Sequence, residues 1–535
     1  MVTGAGDPAA QFGEITLPLS MAFTTEARVT NVSVSMPLVM GFSVSGAKPS
    51  SALYPSMLLD VAFPSQPLAT SPAWTDLSPR IRVFSTQRGR SYEFNRMETG
   101  TLAAAVSNRD AALSPANSAS PYAPLKSTRP VQLRLVYDGT TYPVFRGISE
   151  GYPQAYPGDG TDALVQQSAN DLFYALNQSR FTPGSTTLGT EMEIVAAGAE
   201  ETITVGSTGL PMPQAVPFEI IIDADTVAEE TVTVTEIVTA TSYVITRAAT
   251  PQEHAISAPI TTHAVSFAEE LSGTRIQRVL EHVGFTGPTE GHSGWYDLDA
   301  GQSVIAASED LAGVSPLEHI NLVAETEFGR FFASRAGLFT FRDRHSIILD
   351  FLTPIVTFAD LTLVTGTEIP YRIEGALEHS EEKLYNRVRI TVPSGEVVDI
   401  SDQTSIDEHF ERVYERELPY ANLNDAVSAA NFVLARSVEH TLRLPRITVF
   451  PASDPTNLWP AVLAREIGDR CRFRYQPEGG GDEIDQDVII EGISHTSAPR
   501  SHAVGFQLVE ADPNDYWILG TATYSELGET TWAAF

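Results

Sequence analysis

The segment "VQLRLVYDGTTYPVFRGISE" narrows what this chain can fold into. Val131, Leu133 and Leu135 alternate with polar residues, so one face of an extended strand is apolar. Asp138-Gly139 comes next, a pair suited to the positive φ angles of a two-residue hairpin turn. A helix cannot use a period of two, so the stretch predicts an antiparallel hairpin. "RIRVFSTQRG", ending at Gly89, predicts another strand, as does "GTLAAAVSNRD" with Leu102, Ala104 and Val106 on one face. "RITVF", "DRCRFRY", "DQDVIIEGISHT" and "HAVGFQLVE" predict four more towards the C-terminus. Residues 186–268 are rich in Thr, Val and Ile with frequent turn residues, which predicts a small all-β module. Its composition differs from both flanks, so it reads as an insertion. The expected fold class is mainly β with some α, in several domains.

Helix signals are fewer. "NDLFYALNQ" (170–178) predicts a short helix. In "GTRIQRVLEHVGF", Ile276, Val279, Leu280 and Val283 share one helical face and Gly284 stops the run. "VSPLEHINLVAETEFG" offers Ser315 as N-cap, Pro316 at the first helical position and Glu318 three residues after the cap, a capping box. "GRFFASRAGLFTFRDRH" then predicts a hairpin turning at Ala336-Gly337. "NLNDAVSAANFVLARSVEH" (422–440) predicts a helix with Val427, Ala430, Val433, Leu434 and Val438 on its buried side.

At about 150 residues per domain, a chain of 535 residues predicts three or four domains. The boundaries read from sequence are an extended N-terminal arm at 1–74, a β unit at 75–185, the inserted module at 186–268, an α/β unit at 269–350, a second β unit at 351–515 and a tail at 516–535. The tail carries Tyr516, Trp517 and Trp532. In the arm, "LPLSMAFTTEA" (17–27) is echoed by "MPLVMGFSVSGA" (36–47), with Pro18 and Pro37 at matching places. Residues 29–36 alternate like a strand, and Pro49, Pro55, Pro64, Pro67 and Pro72 then punctuate a linker. Two strands alone are marginal in water, so the arm is expected to pair with a neighbouring chain by strand addition.

Charge and cysteine content exclude several functions. Lys plus Arg total 34 against 67 Asp plus Glu, a net charge of −33, which argues against a surface that grips nucleic acid. Cys471 is the single cysteine, so an intramolecular disulfide or a multi-thiolate zinc site is excluded. The N-terminal residues have no charged start leading into an apolar run, and nothing approaches the roughly 20 apolar residues of a membrane span. A chain soluble when made is expected.

Candidate chemistry is sparse. Asp223/Asp225, Asp297/Asp299 and Asp485/Asp487 each have i, i+2 spacing, which on a strand puts both carboxylates on one face and is open to calcium. None has the full calcium-loop pattern, and an acidic chain produces such pairs by chance. His282 and His292 flank a loop, while His319, beside Glu318, reads as a surface or capping-face residue. No metal-binding spacing links the histidines. "EGGGDE" (478–483) reads as a flexible hairpin tip, because no Lys-Ser/Thr comes after it to make a phosphate loop. Arg470 and Arg472 flank Cys471 and could lower its pKa, against the alternative of a buried inert thiol. No Gly-x-Ser-x-Gly elbow is present. No catalytic, cofactor-binding or metal-binding residue is therefore assigned, and no cofactor is expected.

The stretch from Arg88 to Pro153 resembles a segment of minor tail proteins of long-tailed, non-contractile phages, notably those of actinobacteria. The features that carry the resemblance are Arg-Gly-Arg at 88–90, a Glu-x-Gly-Thr leading into a strand, Asn-Arg-Asp, a Pro-x-Asn turn, Ser-Pro-Tyr, and Arg-Pro before the hairpin. It continues in "GTRIQRVLEHVGF", "GRFFASRAGLFTFRDRH", and "WPAVLAREIGDRCRFRY" through "DQDVIIEGISHT", in the family's order, over most of 75–515. The resemblance implies a non-enzymatic tail-tip hub, also called a baseplate hub or tail-associated protein. It implies a homotrimer in which each subunit contributes two tube-type β-barrel domains, here 75–185 and 351–515, to a pseudo-sixfold ring. The helix at 422–440 would pack against its barrel. Implied partners are distal tail or tail tube rings, the tape measure protein, and tail fibre or receptor-binding proteins. DNA would pass through without sequence-specific binding. The acidity would either line that channel or serve solubility alone. The competing readings are a receptor- or cell-wall-glycan-binding adhesin, which would use 186–268, a hexameric distal tail ring, and a cell-wall hydrolase, for which no catalytic signature is present.

Overall fold

The computed structural model describes residues 53–511 except 91–95, 156–162, 207–215, 240, 263–264, 350–352, 375–377, 380–383, 439–441 and 444–445, together with strands at 19–25, 28–34, 515–517 and 531–533. The chain divides into two compact units, 1–52 and 53–535. In the first, Leu19–Thr25 and Arg28–Val34 form an antiparallel hairpin in register from Leu19 opposite Val34 to Thr25 opposite Arg28. Pro18, Pro37 and the whole of the second echo lie outside the described residues.

Mainly β structure dominates the second unit. Its largest sheet has fifteen strands. One run passes through Ile369–Pro370, Thr357–Ala359, Arg470–Tyr475 and Ile484–Ala498, then Ile81–Gly89, Glu98–Ser107, Leu164–Asn170, Thr140–Gly151, Pro130–Tyr137, Ser56–Val61 and Thr75–Asp76. Ser501–Glu510 also pairs with Ile484–Ala498 and leads to Arg446–Val449 and Arg372–Glu374. The predicted hairpin is Pro130–Tyr137 with Thr140–Gly151, turning on Asp138 at φ 44° and Gly139 at φ 77°. Val131, Leu133 and Leu135 are fully buried.

The stretch 53–74 differs from the expected arm. Ser56–Val61 is hydrogen-bonded along its length to Pro130–Tyr137, with Leu59 and Val61 buried, so this segment is part of the sheet. Pro55 and Pro64 bracket a six-residue strand rather than a linker.

The joint at the middle of the sheet is the pairing of Ile81–Gly89 with Ile484–Ala498, from Gly89 opposite Gly492 to Phe84 opposite Ser497. Backbones come very close there. A Cβ on Gly89 would stand 2.1 Å from the Glu491 carbonyl oxygen, and its φ of +95° is one that L side chains avoid. Glycine is required at that crossing.

Helices Ser272–His282 and Pro316–Glu327 and the hairpin Arg330–Ala333/Phe339–Arg342 share the core of this sheet. Phe173, at the start of helix Phe173–Gln178, stacks on Phe331 with ring centroids 5.2 Å apart. Pro316 begins its helix as the sequence predicts, but the capping box does not close. The Ser315 hydroxyl makes no cap hydrogen bond and Glu318 is exposed.

Two smaller sheets have separate cores. Six strands between Ser185 and Thr262 run in the order Ser185–Thr187, Pro259–Thr262, Phe218–Ile222, Glu230–Thr239, Ser242–Thr246, Glu200–Thr204. The first and last of these meet through a bridge between Leu188 and Val205, flanked by Gly206 N–H donating to the Thr187 carbonyl and Gly189 N–H to that of Thr204. The sheet thus closes on itself through that bridge. Ile203, Ile220, Ile222, Val234, Ile245 and Ile260 fill it.

The other small sheet is Val397–Ser401, Arg387–Thr391 and Val413–Glu417. Helix Leu423–Ser437 packs on this sheet, which lies within the 351–515 unit. Its buried face is Ala426, Ala429, Ala430 and Val433, with Leu434 packed beside it; Ala430 and Val433 are where the sequence puts them, whereas Val427 is exposed. Small alanines let the helix lie close against Val388, Ile390 and Val398. At the C-terminus, Asp515–Trp517 runs parallel to Thr531–Ala533 with Tyr516 opposite Trp532.

Candidate functional site

Structural pairing accounts for five of the six carboxylates singled out in the sequence, and the sixth, Asp225, is exposed in a turn. Asp297 and Asp299 both face Arg342, at 2.5 and 3.3 Å. Asp485 and Asp487 pair with Arg472 and Arg470, and Glu483 with Arg474, in a three-rung ladder across neighbouring strands. Asp223 accepts from His254 Nδ1 at 2.8 Å, while His254 Nε2 meets Glu230 at 3.1 Å. Both ring nitrogens of that histidine are thereby occupied. Among the described residues, no group of three or more His, Cys, Asp or Glu is placed to hold a metal ion.

His319 is buried rather than on the surface. It stacks on Phe267 at 5.6 Å, and burial, with Arg275 nearby, pushes its pKa down to about 3. His282 packs against Phe181, and His292 is exposed in the loop. The 478–483 stretch is an exposed tip with Gly479, Gly480 and Gly481 all at positive φ. Cys471 lies on the inner face of its strand, whereas Arg470 and Arg472 project to the other side, as strand alternation requires. Burial therefore decides, and the thiol is pushed up to about 12. Native protein at pH 8 should resist a maleimide or disulfide reagent for hours and react once unfolded. Rapid native labelling would contradict the burial of this strand.

The charged groups that the sequence did not single out lie beside the sheet joint. Glu491 is fully buried, accepting from Arg90 Nε at 2.7 Å and from Arg330 Nε and Nη2 at 2.8 and 2.5 Å. Burial alone would raise its pKa, but Arg330 and Arg90 outweigh that and hold the carboxyl at about 2. Nearby, Glu466 pairs with Arg88 at 2.8 Å and accepts from the Arg335 backbone N–H at 3.0 Å. These contacts tie the hairpin at 330–342 to both strands of the joint. No sequence motif could reveal them, because the partners are 161 and 401 residues apart.

Beside this seam lies a cavity of about 690 Å³ between helix Pro316–Glu327, the residues Arg90, Arg96 and Met97, and the small sheet with its helix. Arg90, Arg96, Arg330, Arg344, Arg416 and Arg436 line it. Glu325 and Glu417 are the carboxylates in its wall, and Phe328, Tyr385, Tyr414 and Phe432 supply rings. Glu325 is shared by Arg96 at 3.4 Å and Arg416 at 3.3 Å, and the Arg436 guanidinium sits 5.3 Å from the Phe432 ring centre.

No protein-family model matches the sequence, and no curated protein matches it. Solved structures align along most of its length. The 43 kDa tail protein of prophage MuSo2 from Shewanella oneidensis aligns over 85% of this chain and 98% of its own, at 11% identity and a TM-score of 0.43. The tail protein from Neisseria meningitidis MC58 covers 85% of this chain and 96% of its own, at 10% identity and a TM-score of 0.44. An E. coli type VI secretion component, described as structurally similar to the T4 bacteriophage tail proteins gp27 and gp5, covers 82% and 78%, at 8% identity and a TM-score of 0.34. At these identities and TM-scores the likenesses assign no role to any residue.

Proposed function

We propose that this chain is a structural protein of a phage tail, and that three copies form the hub ring at the tail tip. The observation that carries the reading is the joint between Ile81–Gly89 and Ile484–Ala498, which makes one continuous sheet out of strands from both halves of the chain. A subunit holding two β units rigidly side by side lets three subunits occupy six positions, and so lets a threefold ring meet a sixfold tube. The sequence resemblance, which runs through both halves, supports the same reading. The work of such a protein is assembly. Consistent with that, the Asp pairs at 297/299 and 485/487 and the single thiol are engaged in pairing or packing.

Under this reading the partners are the tail tube or distal tail ring above, the tape measure protein within, and fibre or receptor-binding proteins at the periphery. The net charge of −33 per chain keeps passing DNA from adhering. Quantitative mass spectrometry of purified tails should give three copies per particle, and gold label on a C-terminal tag should appear at the tail end. Six copies per particle would favour the distal tail ring. Degradation of host cell walls by the purified chain would replace the structural reading with an enzymatic one.

A further inference from the structure

We propose that the arginine-lined cavity binds a small-molecule oxyanion, a carboxylate or phosphate carried on a body with an apolar or aromatic face. The inference is independent of the ring reading. The concentration of charge is the first observation. The chain has 31 arginines and three lysines in a net charge of −33, yet six of those arginines line one cavity. Charges farther away than the Debye length, roughly 8 Å at physiological salt, are largely screened, so the local guanidiniums set the field there.

The pairing within the wall is the second. Arg90 and Arg330 share Glu491, Arg96 and Arg416 share Glu325, and Arg344 comes no nearer to Glu327 than 3.9 Å. Glu327 Oε2 accepts from the Ser272 hydroxyl and from the Gln302 and Ser303 N–H groups, while Oε1, the oxygen that faces Arg344, has no hydrogen-bond partner among the described residues. Guanidinium therefore exceeds carboxylate.

Orphaned donors are the third. Among the described residues, Arg330 Nη1 and Arg344 Nε and Nη1 have no hydrogen-bond partner, and both side chains are only 4% exposed. A buried donor left unpaired loses its hydration without compensation, and the loss is larger when it is charged. A group with several acceptor oxygens and no donors removes that cost. Carboxylate and phosphate meet the requirement and match the planar guanidinium fork two bonds at a time. A cation would be repelled, and a neutral amide offers a single acceptor. The aromatic rings, tilted by 47–71° where they meet, give the remainder of the ligand an apolar wall, and about 690 Å³ is within the size range of small-molecule sites.

Titration calorimetry on the full-length chain should use inorganic phosphate, pyrophosphate, citrate and phthalate separately, with a Glu-Glu-Phe peptide as a further arm. At least one of the four small anions is expected to bind saturably at one site per chain. Which anions bind distinguishes a phosphate from a carboxylate source. Arg416→Gln and Arg436→Gln, at positions that are not fully buried, should each weaken binding about tenfold or more, the worth of a charge-assisted hydrogen bond. Arg472→Gln, on the outer ladder, should leave it unchanged. Arg344→Gln is a stronger perturbation but a buried one, so the two less buried variants decide. Absence of saturable binding by all four anions, binding unaffected by both variants, or binding of the peptide alone would overturn the proposal.

Discussion

Replacing Glu491 with alanine should cost about 3–5 kcal/mol, because it removes the fully buried carboxylate that two guanidiniums share. The effect should appear in hydrogen exchange at the sheet joint. Amides of Ile81–Gly89 and Ile484–Ala498 should lose protection by a factor of about a hundred to several thousand, at roughly 1.4 kcal/mol per decade. Glu491→Gln should be nearly as damaging, since an amide keeps the shape but not the charge. Arg387→Gln removes a solvent-screened partner of Asp399 and Glu411, and should leave stability almost unchanged. The pH dependence has a definite sign. The folded carboxyl titrates at about 2, below its ordinary value of 4.5, so its contribution is fully present above pH 4.5 and is lost as the pH falls towards 2. The wild type should lose joint protection through that window, and Glu491→Gln should show a flatter profile there. Equal protection in wild type and Glu491→Ala at neutral pH would mean that the ion pairs do not hold the joint.

Arg247→Met should unfold the closed six-stranded sheet and spare the rest. Arg247 is a buried hub that donates to both oxygens of Glu230 at 2.9 and 2.8 Å, to Glu201 at 2.8 Å, and to the carbonyls of Glu193 and Gln252. Removing it leaves the Glu230 carboxylate, buried to the same degree, with only His254 and the Ala248 and Gln252 N–H groups. The cost is again about 3–5 kcal/mol, in a module whose separate core is small. Exchange should accelerate throughout 185–262, and proteases should cut there first. Protection in Pro130–Tyr137 and Ile484–Ala498 should persist. Simultaneous loss in those strands would show that the module is part of the main cooperative unit.

The residues reveal local structure better than long-range contacts, for physical reasons. The hairpin at 130–151 combines period-two alternation with Asp-Gly, and both signals are local. Pro316 marks a helix start because a proline ring fits the first turn, whether or not Ser315 closes a cap. Helix phase also places His319 inside. Pro316, His319, Ile320, Val323 and Ala324 form one stripe, and the polar neighbour Glu318 hides it from a reading by residue type. Val427 is out of phase with the alanine face in the same way. The burial of Cys471 comes from alternation with Arg470 and Arg472, once the segment is accepted as a strand.

Other features leave no local trace. Ser56–Val61 is a short strand among prolines, recognisable only from its partner. The pairing of Ile81–Gly89 with Ile484–Ala498 joins segments some four hundred residues apart. The cavity draws its arginines from Arg90 through Arg436, so its charge is visible only in three dimensions.

Native mass spectrometry of the purified full-length chain at near-physiological salt tests the central claim most directly. The account predicts a dominant species at three times the 57.9 kDa chain mass, persisting on dilution into the low micromolar range. A monomer throughout that range, or a species at six times the chain mass, would contradict a trimeric ring built from two β units per subunit.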